Sequence, residues 1–242
     1  PLNPPLFCMI LRKHLEGGKI VGIKQGENLE RFLTLAVEVF DELGDIKIKH
    51  LILEIMGKHS NLILVDPETG AIIDGIKRYT HEVSRHREVL PGRIYIAPPK
   101  QNKLSLATIT EEQLRSALLD SSLNSPLPKL IVQNIGGIST PLAKEIVLAA
   151  GLPVELILNE VGEYELTRLW QEIAGLATRI RTENYTPVVY TSDNVPLDFS
   201  AVPFTYSLQA YEHQFPLMSQ ALDYYFERKL AQDHLLSQKH NL

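Results

Sequence analysis

The stretch LILEIMGKHSNLILVD, residues 51–66, holds two apolar segments that flank a polar break. The apolar segments have the leucine and β-branched content of strands, and the break begins with a glycine suited to a tight turn. After that glycine come Lys58, His59, Ser60 and Asn61. A tight turn needs only one or two polar residues. The additional groups therefore either face a polar ligand or, in the case of His59 and Asn61, hydrogen-bond backbone within the sheet.

The hairpin extends in both directions into a series of strands. Short connections between successive strands predict an antiparallel sheet. Ahead of the strands, Pro4 and Pro5 begin a helix that Gly17 and Gly18 end. The apolar pattern and the turn clusters DELGD and DPETG predict strands at about 19–25, 30–40, 46–56, 61–66 and 71–77.

The second half of the chain, from Leu104, is predicted to be mainly helical. TEEQ at 110–113 is a capping box for a helix that ends near Leu119. Together with the strand series, these elements predict an α+β fold. Further helices are predicted in LPKLIVQN, from about 141 to 150, across 163–180 and over about 217–238, with short strands within 186–206.

The composition is that of a folded protein, and the sequence lacks the common catalytic motifs. Hydrophobic residues make up 44% of the 242 residues, enough for a core. The single cysteine, Cys8, excludes an internal disulfide framework and favours a reducing, cytoplasmic compartment. The chain opens PLNPPLF without methionine, which indicates a fragment. We expect no enzymatic activity, metal or cofactor, because the P-loop, G-x-G-x-x-G, G-x-S-x-G and C-x-x-C motifs are missing and the spacing of His81 and His86 does not match H-E-x-x-H.

Charge is distributed unevenly along the chain. The net charge of −5 argues against a general nucleic-acid binder. Residues 1–103 nevertheless carry 15 basic against 13 acidic residues. Between residues 75 and 103 only Glu82 and Glu88 oppose the basic residues, so we expect a local anionic partner. The basic residues of that segment are Lys77, Arg78, Arg85, Arg87, Arg93, Lys100 and Lys103.

Two further segments have a functional and a plain interpretation. In RKHLEGGKIVGIKQ, residues 12–25, the cations either contact an anion or form a solvated helix end and strand face. NIGGISTPLAKEIVLAAGL, residues 134–152, has the order helix, glycine turn, Ser/Thr cap and helix. That order fits a helix-hairpin-helix that grips a phosphodiester, or an αα-hairpin that binds nothing. The candidate phosphate contacts are Gly136, Gly137, Ser139 and Thr140.

Several stretches together resemble one protein family. They are NPPLFCMILRKHLEGG, LILEIMGKHSNLILVD, LPGRIYIAPP and LDYYFERKLAQDHLLSQKHNL. The chain is similar over nearly its whole length to the NFACT family, also called the fibronectin-binding protein A (FbpA) family, whose bacterial members include RqcH-like ribosome quality control factors. The EIMGKHSN block is long and specific.

The resemblance implies a domain organisation. The N-terminal part of the family is similar in fold to formamidopyrimidine-type DNA glycosylases, and a helix-hairpin-helix domain and a coiled coil follow it. The implied domains are an antiparallel NFACT-N sheet domain lacking its start (1–103), a helix-hairpin-helix domain (104–182), a short β segment packing back (183–216) and the start of a coiled-coil helix (217–242).

The resemblance also implies a function and partners. Such proteins bind a large (50S) ribosomal subunit obstructed by peptidyl-tRNA and recruit tRNA, alanyl-tRNA in bacteria, to direct C-terminal tailing of the stalled chain. The family label adds fibronectin as an alternative partner, for a surface adhesin. A glycosylase-like enzyme and a mere support for the coiled coil are the remaining alternatives.

The resemblance selects two of the candidate RNA contacts, and the cation-rich segments and the polar turn supply the others. The family has an Asp-Arg pair important for tRNA recognition, and Glu30 and Arg31 match it here. Glutamate keeps the charge but adds a methylene, so it either orients Arg31 toward a phosphate or base or forms an ordinary surface ion pair. The predicted tRNA or RNA contacts are Glu30, Arg31, Arg12, Lys13, His14, Lys58, His59, Asn61, Arg85 and Arg87.

Overall fold

The structure, a computed structural model, describes residues 3–80, 87–205 and 210–240, without the side chains of Asn28 and residues 233–240. The chain divides into two units, residues 1–102 and residues 103–242. Both units combine helices with antiparallel strands, which confirms the predicted α+β class.

The first unit contains one helix and a meander of five strands. Helix α1 covers Leu6–Leu15, and its last turn carries Arg12, Lys13 and His14, cations that oppose the negative end of the helix dipole. All neighbouring strands pair antiparallel, as predicted. In chain order the strands are β1 (Lys19–Gln25), β2 (Phe32–Phe40), β3 (Ile46–Glu54), β4 (Asn61–Val65) and β5 (Ile72–Gly75).

Apolar residues are buried on both faces of this sheet. On one face, Val89, Tyr79 and Tyr95 belong to a core cluster. The other face receives α1, whose Phe7 is buried. A Cβ at Gly18 would lie 2.8 Å from the side chains of Val37 and Val39, so glycine allows the chain to turn from the helix into β1. The strand residues of the core cluster are Ile52, Ile63, Val65 and Ile72.

The second unit begins with four helices. The predicted capping box is present, because Thr110 Oγ1 accepts from the Gln113 backbone N–H at 3.2 Å and the Gln113 side chain accepts from the Thr110 N–H at 3.0 Å. Each helix lies within one or two residues of its predicted position. The helices are α2 (Glu111–Leu119), α3 (Leu127–Asn134), α4 (Thr140–Ala149) and α5 (Glu163–Arg181).

A three-stranded sheet and a long helix complete the second unit. The strand order is β7-β6-β8, with β6 covering Val188–Ser192, β7 Val195–Ser200 and β8 Tyr211–Gln214. Helix α6, Met218–His240, packs on this sheet, and the ring centroids of Phe199 and Tyr225 lie 4.8 Å apart. Residues 183–205 and 210–216 thus lie in the second unit, where Thr205 is also bonded to Glu145 of α4.

Two local features differ from the sequence prediction. Strand β2 begins at Phe32 rather than near residue 30, because Glu27–Leu29 form a single 3-10 turn after β1. Strand β8 was not predicted, since its sequence YEHQ has little of the apolar or β-branched content typical of strands. Within the described residues, none of the helices combines the length and apolar character needed to span a bilayer.

Candidate nucleic-acid interface

The polar break between β3 and β4 forms a tight turn whose four polar residues divide into two pairs. Gly57 has φ +56°, a left-handed conformation that favours glycine. The next residues complete a 3-10 turn, Gly57–His59. Lys58 and His59 are exposed, whereas Ser60 is half-buried and Asn61 is buried.

Ser60 and Asn61 hold the turn in place. Ser60 Oγ accepts the Met56 N–H at 2.9 Å, which closes the turn. The Asn61 amide pairs with the backbone of Lys77: its Oδ1 accepts the Lys77 N–H and its Nδ2 donates to the Lys77 carbonyl, both at 2.9 Å. The expectation that Asn61 faces RNA is therefore corrected, and the alternative that it bonds backbone within the sheet is right for this residue.

Arg31 lies at the same end of the sheet as this turn. Its carbonyl accepts the Ile55 N–H at 2.8 Å, one position beyond the Phe32–Glu54 pair that joins β2 to β3. Lys58 follows Ile55 by three residues, and the Lys58 carbonyl accepts from Lys77 Nζ at 2.8 Å. The fold thus gathers Arg31, Lys58 and His59 at one end of the sheet, and we call these three residues the turn surface.

The cations of the turn surface are exposed. Among the residues that the structure describes, none of the carboxylates lies within 4.0 Å of Arg31 or Lys58. Glu30, just before Arg31, is half-buried and makes no ion pair with it in the same residues. Glu30 therefore does not orient Arg31 through an ion pair, and the exposed arginine side chain has no bonded partner among the described residues.

In the basic segment 75–103, by contrast, several cations form ion pairs with carboxylates. Arg78 bonds Asp74 at 2.8 Å, Arg93 bonds Glu88 at 2.9 Å and Lys100 bonds Glu27 at 3.2 Å. These pairs neutralise much of the positive charge counted along the segment. Arg85 lies outside the described residues, as do His81 and His86.

Arg87 is the most deeply buried of these cations. Its Nη1 donates to Glu54 Oε1 at 2.6 Å, and its Nη2 donates to Glu54 Oε2. Nη1 also donates to the Ile96 carbonyl at 2.9 Å, and the Tyr95 hydroxyl donates to Glu54 Oε1 at 2.9 Å. Glu54 is fully buried. The expectation that Arg87 binds RNA is corrected, because the residue is buried and both of its Nη atoms are hydrogen-bonded inside the protein.

Burial beside the Glu54–Arg87 pair changes the pKa of the neighbouring Tyr95. Burial, followed by the neighbouring Glu54 carboxylate, raises the pKa of Tyr95 well above its ordinary value near 10. Sequence reasoning did not select Glu54 or Tyr95. The available signal was a single carboxylate at the end of the apolar strand sequence LILE, since a buried charge requires a partner.

Arg12, Lys13 and His14 form a separate group at the opposite end of the sheet, the helix-end cluster. They precede the first residue of β1, Lys19, whereas Arg31 follows its last residue, Gln25. Seven extended residues span about 20 Å. Arg12 and Lys13 are exposed, and burial together with the charges of Lys13 and Lys49 lowers the pKa of half-buried His14.

The glycine turn between α3 and α4 has the local geometry that its sequence predicts. Gly137 has φ +78°, and Ser139 Oγ caps α4 by accepting the Leu142 N–H at 3.4 Å. Ser139 and Thr140 are exposed beside that helix start, while Gly136 is half-buried. The structure therefore contains a helix, a glycine turn and a capped helix.

The comparisons with known proteins decide the family. The family model for NFACT N-terminal and middle domains matches residues 1–242. The chain belongs to the NFACT family. The sequence resemblance is thereby confirmed.

Curated relatives extend well beyond this chain. The chain is 33% identical over its full 242 residues to the Rqc2 homolog RqcH of Bacillus subtilis, and it covers 40% of that protein. It is also 33% identical over its full length to the Rqc2 homolog RqcH of Streptococcus suis, of which it covers 39%. The NFACT chain thus spans about two fifths of the length of these relatives.

Solved structures share the fold. The N-terminal part of the fibronectin/fibrinogen-binding protein from Streptococcus suis matches 94% of this chain, with 31% identity, a TM-score of 0.69 and 74% of its own chain covered. The fibrinogen-binding protein from Staphylococcus aureus matches 91%, with 29% identity, a TM-score of 0.72 and 75% of its own chain covered. The NFACT chain therefore has the mixed α and antiparallel β architecture of these neighbours.

Proposed function

We propose that this chain is the RNA-binding part of a cytoplasmic ribosome quality control factor. In this proposal the protein binds large ribosomal subunits obstructed by peptidyl-tRNA. It recruits tRNA, alanyl-tRNA in a bacterial cell, to direct C-terminal tailing of the stalled chain. The observation that carries the proposal is the identity of 33% over the whole chain to proteins named Rqc2 homolog RqcH.

The turn surface supplies chemistry that suits this role. Arg31 and Lys58 are exposed cations without an internal carboxylate among the described residues, so RNA phosphates do not have to displace an ion pair to reach them. Arg31 also offers a planar fork for bidentate phosphate contact. His59, next to Lys58, adds an exposed imidazole ring that can hydrogen-bond or stack on a base. The pairing of most cations in segment 75–103 favours this end of the sheet over that segment.

The α3–α4 hairpin is assigned a second RNA contact within the same proposal. Gly137 has a positive φ, a conformation in which the backbone can approach a phosphate closely, and the start of α4 offers backbone N–H groups and positive dipole. As a helix-hairpin-helix it would contact phosphodiester without reading sequence. Helix α6 is proposed to continue into a coiled coil. No active site is needed, because bond formation would belong to the ribosome.

The first test is co-sedimentation of the protein that carries this chain with 50S subunits. The protein is incubated with 50S subunits that hold peptidyl-tRNA, with empty 50S subunits and with 30S subunits across a salt series, and the bound tRNA is sequenced. We expect selective binding to the obstructed 50S subunit, enrichment of one tRNA species and steep weakening with salt. Equal sedimentation with 30S subunits, or no RNA retained at low salt, would overturn the proposal.

A surface adhesin is the second candidate, because the solved neighbours are titled fibronectin- and fibrinogen-binding proteins. Immobilised fibronectin and fibrinogen separate the two roles. Binding that resists salt and is unchanged in Arg31→Ala would favour the adhesin. Binding to obstructed 50S subunits that Arg31→Ala weakens, with no retention on fibronectin, would favour the quality control role.

A further inference from the structure

Leu29, in the loop between β1 and β2, has an unusual backbone conformation. Its φ is +60°, in the left-handed region that favours glycine. Among the described residues other than glycine that share this conformation, Leu29 alone is apolar. A bulky residue stays in this region only where the surrounding structure enforces it, and such residues are concentrated at binding and catalytic sites. Leu29 precedes Arg31 of the turn surface by two residues.

Backbone hydrogen bonds close the loop around Leu29. The Gly26 N–H donates to the Phe32 carbonyl at 2.9 Å, one position beyond the last residue pair of β1 and β2. A Cβ at Gly26 would lie 2.6 Å from the Phe32 ring, so glycine permits this close approach. Inside the loop, the Glu30 N–H donates to the Glu27 carbonyl at 3.0 Å. This bond closes the 3-10 turn, and the chain leaves that turn through the left-handed Leu29.

The side chain of Leu29 explains why a leucine occupies this position. It is half-buried, whereas Glu27 at the start of the same turn is exposed. Burial of an apolar side chain stabilises the conformation that buries it, which offsets the cost of the left-handed backbone. Glycine would adopt the same φ without that cost but would have no side chain to bury. We therefore interpret the Leu29 side chain as an anchor of the loop.

The backbone of Arg31 is fixed from both directions along the chain. On its C-terminal side β2 begins at Phe32, and the Arg31 carbonyl itself accepts the Ile55 N–H at 2.8 Å. On its N-terminal side only Glu30, with extended φ −60° and ψ 144°, separates it from Leu29. A different φ at Leu29 would redirect the chain that enters Arg31. The conformation of Leu29 therefore helps to set where the Arg31 side chain begins.

We propose that Leu29 is a positioning residue for RNA binding, whose half-buried side chain holds the β1–β2 loop in the conformation that presents Arg31 at the turn surface. Its effect on RNA rests on the proposed function. A loop that is already ordered loses less conformational freedom on binding, so the same cation gives a tighter contact than it would on a mobile loop. Leu29 acts through Arg31 and makes no RNA contact of its own in this proposal.

Hydrogen exchange tests the positioning without RNA. It is read by mass spectrometry, in the protein that carries this chain, on peptides that report the amides of Gly26 and Ile55. Leu29→Ala removes the anchor but keeps a Cβ that disfavours the left-handed conformation. We expect both amides to exchange at least tenfold faster in this variant. Unchanged exchange at both amides would overturn the proposal.

Three controls separate local positioning from general stability. Leu29→Met keeps a long apolar side chain and should retain wild-type exchange at both amides. Leu43→Ala removes a leucine that is 88% exposed, in the turn between β2 and β3 at the opposite end of the sheet, and should also change nothing. Exchange in β4 should stay unchanged in Leu29→Ala. Acceleration of β4 by the same factor would show a general loss of stability and overturn the proposal.

Binding of total tRNA then tests the consequence for RNA. Leu29→Ala is expected to bind at least fivefold more weakly, with a salt slope smaller by about one because the Arg31 contact is lost. Leu29→Met and Leu43→Ala should retain wild-type affinity. Wild-type affinity in Leu29→Ala, or an equal loss in Leu43→Ala, would overturn the proposal.

A double-mutant cycle shows whether Leu29 acts through Arg31. Leu29→Ala combined with Arg31→Ala should bind tRNA no more weakly than Arg31→Ala alone, because the group to be positioned is already missing. Additive losses in the double variant would overturn the proposal. A wild-type protein that retains no tRNA would overturn the proposed function instead, and the exchange comparison would still decide whether Leu29 positions Arg31.

Discussion

Two sets of cations in the first unit differ in what their charges meet. The paired set, Arg78, Arg87, Arg93 and Lys100, lies in the most basic segment of the sequence, and each member bonds a carboxylate of the same unit. The open set, Arg31 and Lys58, comes from less basic stretches but has no such partner among the described residues. Basic content along a sequence is therefore a poor guide to an anion-binding surface unless the positions of the carboxylates are known.

The largest expected effect comes from breaking the buried member of the paired set. Glu54→Gln leaves the Arg87 guanidinium buried without a counter-charge, which typically costs about 3–5 kcal/mol. Denaturant unfolding with hydrogen exchange read at β3 and β4 measures this cost. Lys100→Ala, which breaks an exposed pair, is the control and should cost no more than about 1 kcal/mol. Equal costs for the two variants would show that Arg87 is not locked by Glu54.

Tyr95 gives the next largest effect and a pH dependence. Tyr95→Phe removes a hydrogen bond to a charged acceptor, worth about 1.5–3 kcal/mol at neutral pH. The pKa of Tyr95 is raised by folding, so its stabilisation is present below the unfolded pKa of about 10 and is lost as the pH rises above it. Unfolding free energies of the wild type and the variant, measured from pH 8 to pH 11, should therefore converge at the alkaline end. A constant difference would contradict the raised pKa.

A half-buried ion pair is expected to have an effect on stability that is intermediate between those of the two sets. Lys49 Nζ donates to Asp66 at 2.7 Å, and this bond is the largest influence that lowers the pKa of Asp66. Its stabilisation is present above the unfolded pKa and is lost as the pH falls through the lowered value. Lys49→Met should cost about 1 kcal/mol at pH 7 and less in acid, and carboxyl resonance titration should show the Asp66 pKa rising. Lys24→Met, an exposed lysine on β1, is the matched control.

The open set is expected to have the smallest effect on stability. Arg31→Ala and Lys58→Ala remove exposed side chains without internal partners among the described residues, so each should change the unfolding free energy by less than about 0.5 kcal/mol. Thermal unfolding measures this. A loss comparable to that of Lys49→Met would reveal a structural role and remove the contrast between the two sets.

The sequence predicted the elements of the fold better than the contacts of its polar side chains. Strand and helix positions followed from local patterns, such as the capping box at Thr110 and the glycine at position 57. The partner of Arg87 did not follow from a local pattern. Glu54 lies 33 residues away in the sequence and becomes its partner only when residues 87–96 cover the sheet. Asn61 was ambiguous for the same reason, since its partner Lys77 is 16 residues away.

The candidate site was predicted in part. Resemblance to the family indicated Arg31, and the residue content of the turn indicated Lys58 and His59; the fold brings these three to one end of the sheet. It keeps Arg12 and Lys13 at the other end of β1, a separation that follows from strand order rather than from local sequence. Whether Glu30 pairs with Arg31 depends on side-chain geometry, which no sequence pattern specifies.

The most direct test of the central claim is tRNA affinity measured against salt for two double variants. Arg31→Ala with Lys58→Ala removes the open set, and Arg78→Ala with Arg93→Ala removes the same number of charges from the paired set. We predict at least tenfold weaker tRNA binding and a salt slope smaller by about two for the open-set variant, with little change for the paired-set variant. Equal losses of affinity in both variants, or a larger loss in the paired-set variant, would contradict the claim that the turn surface binds RNA.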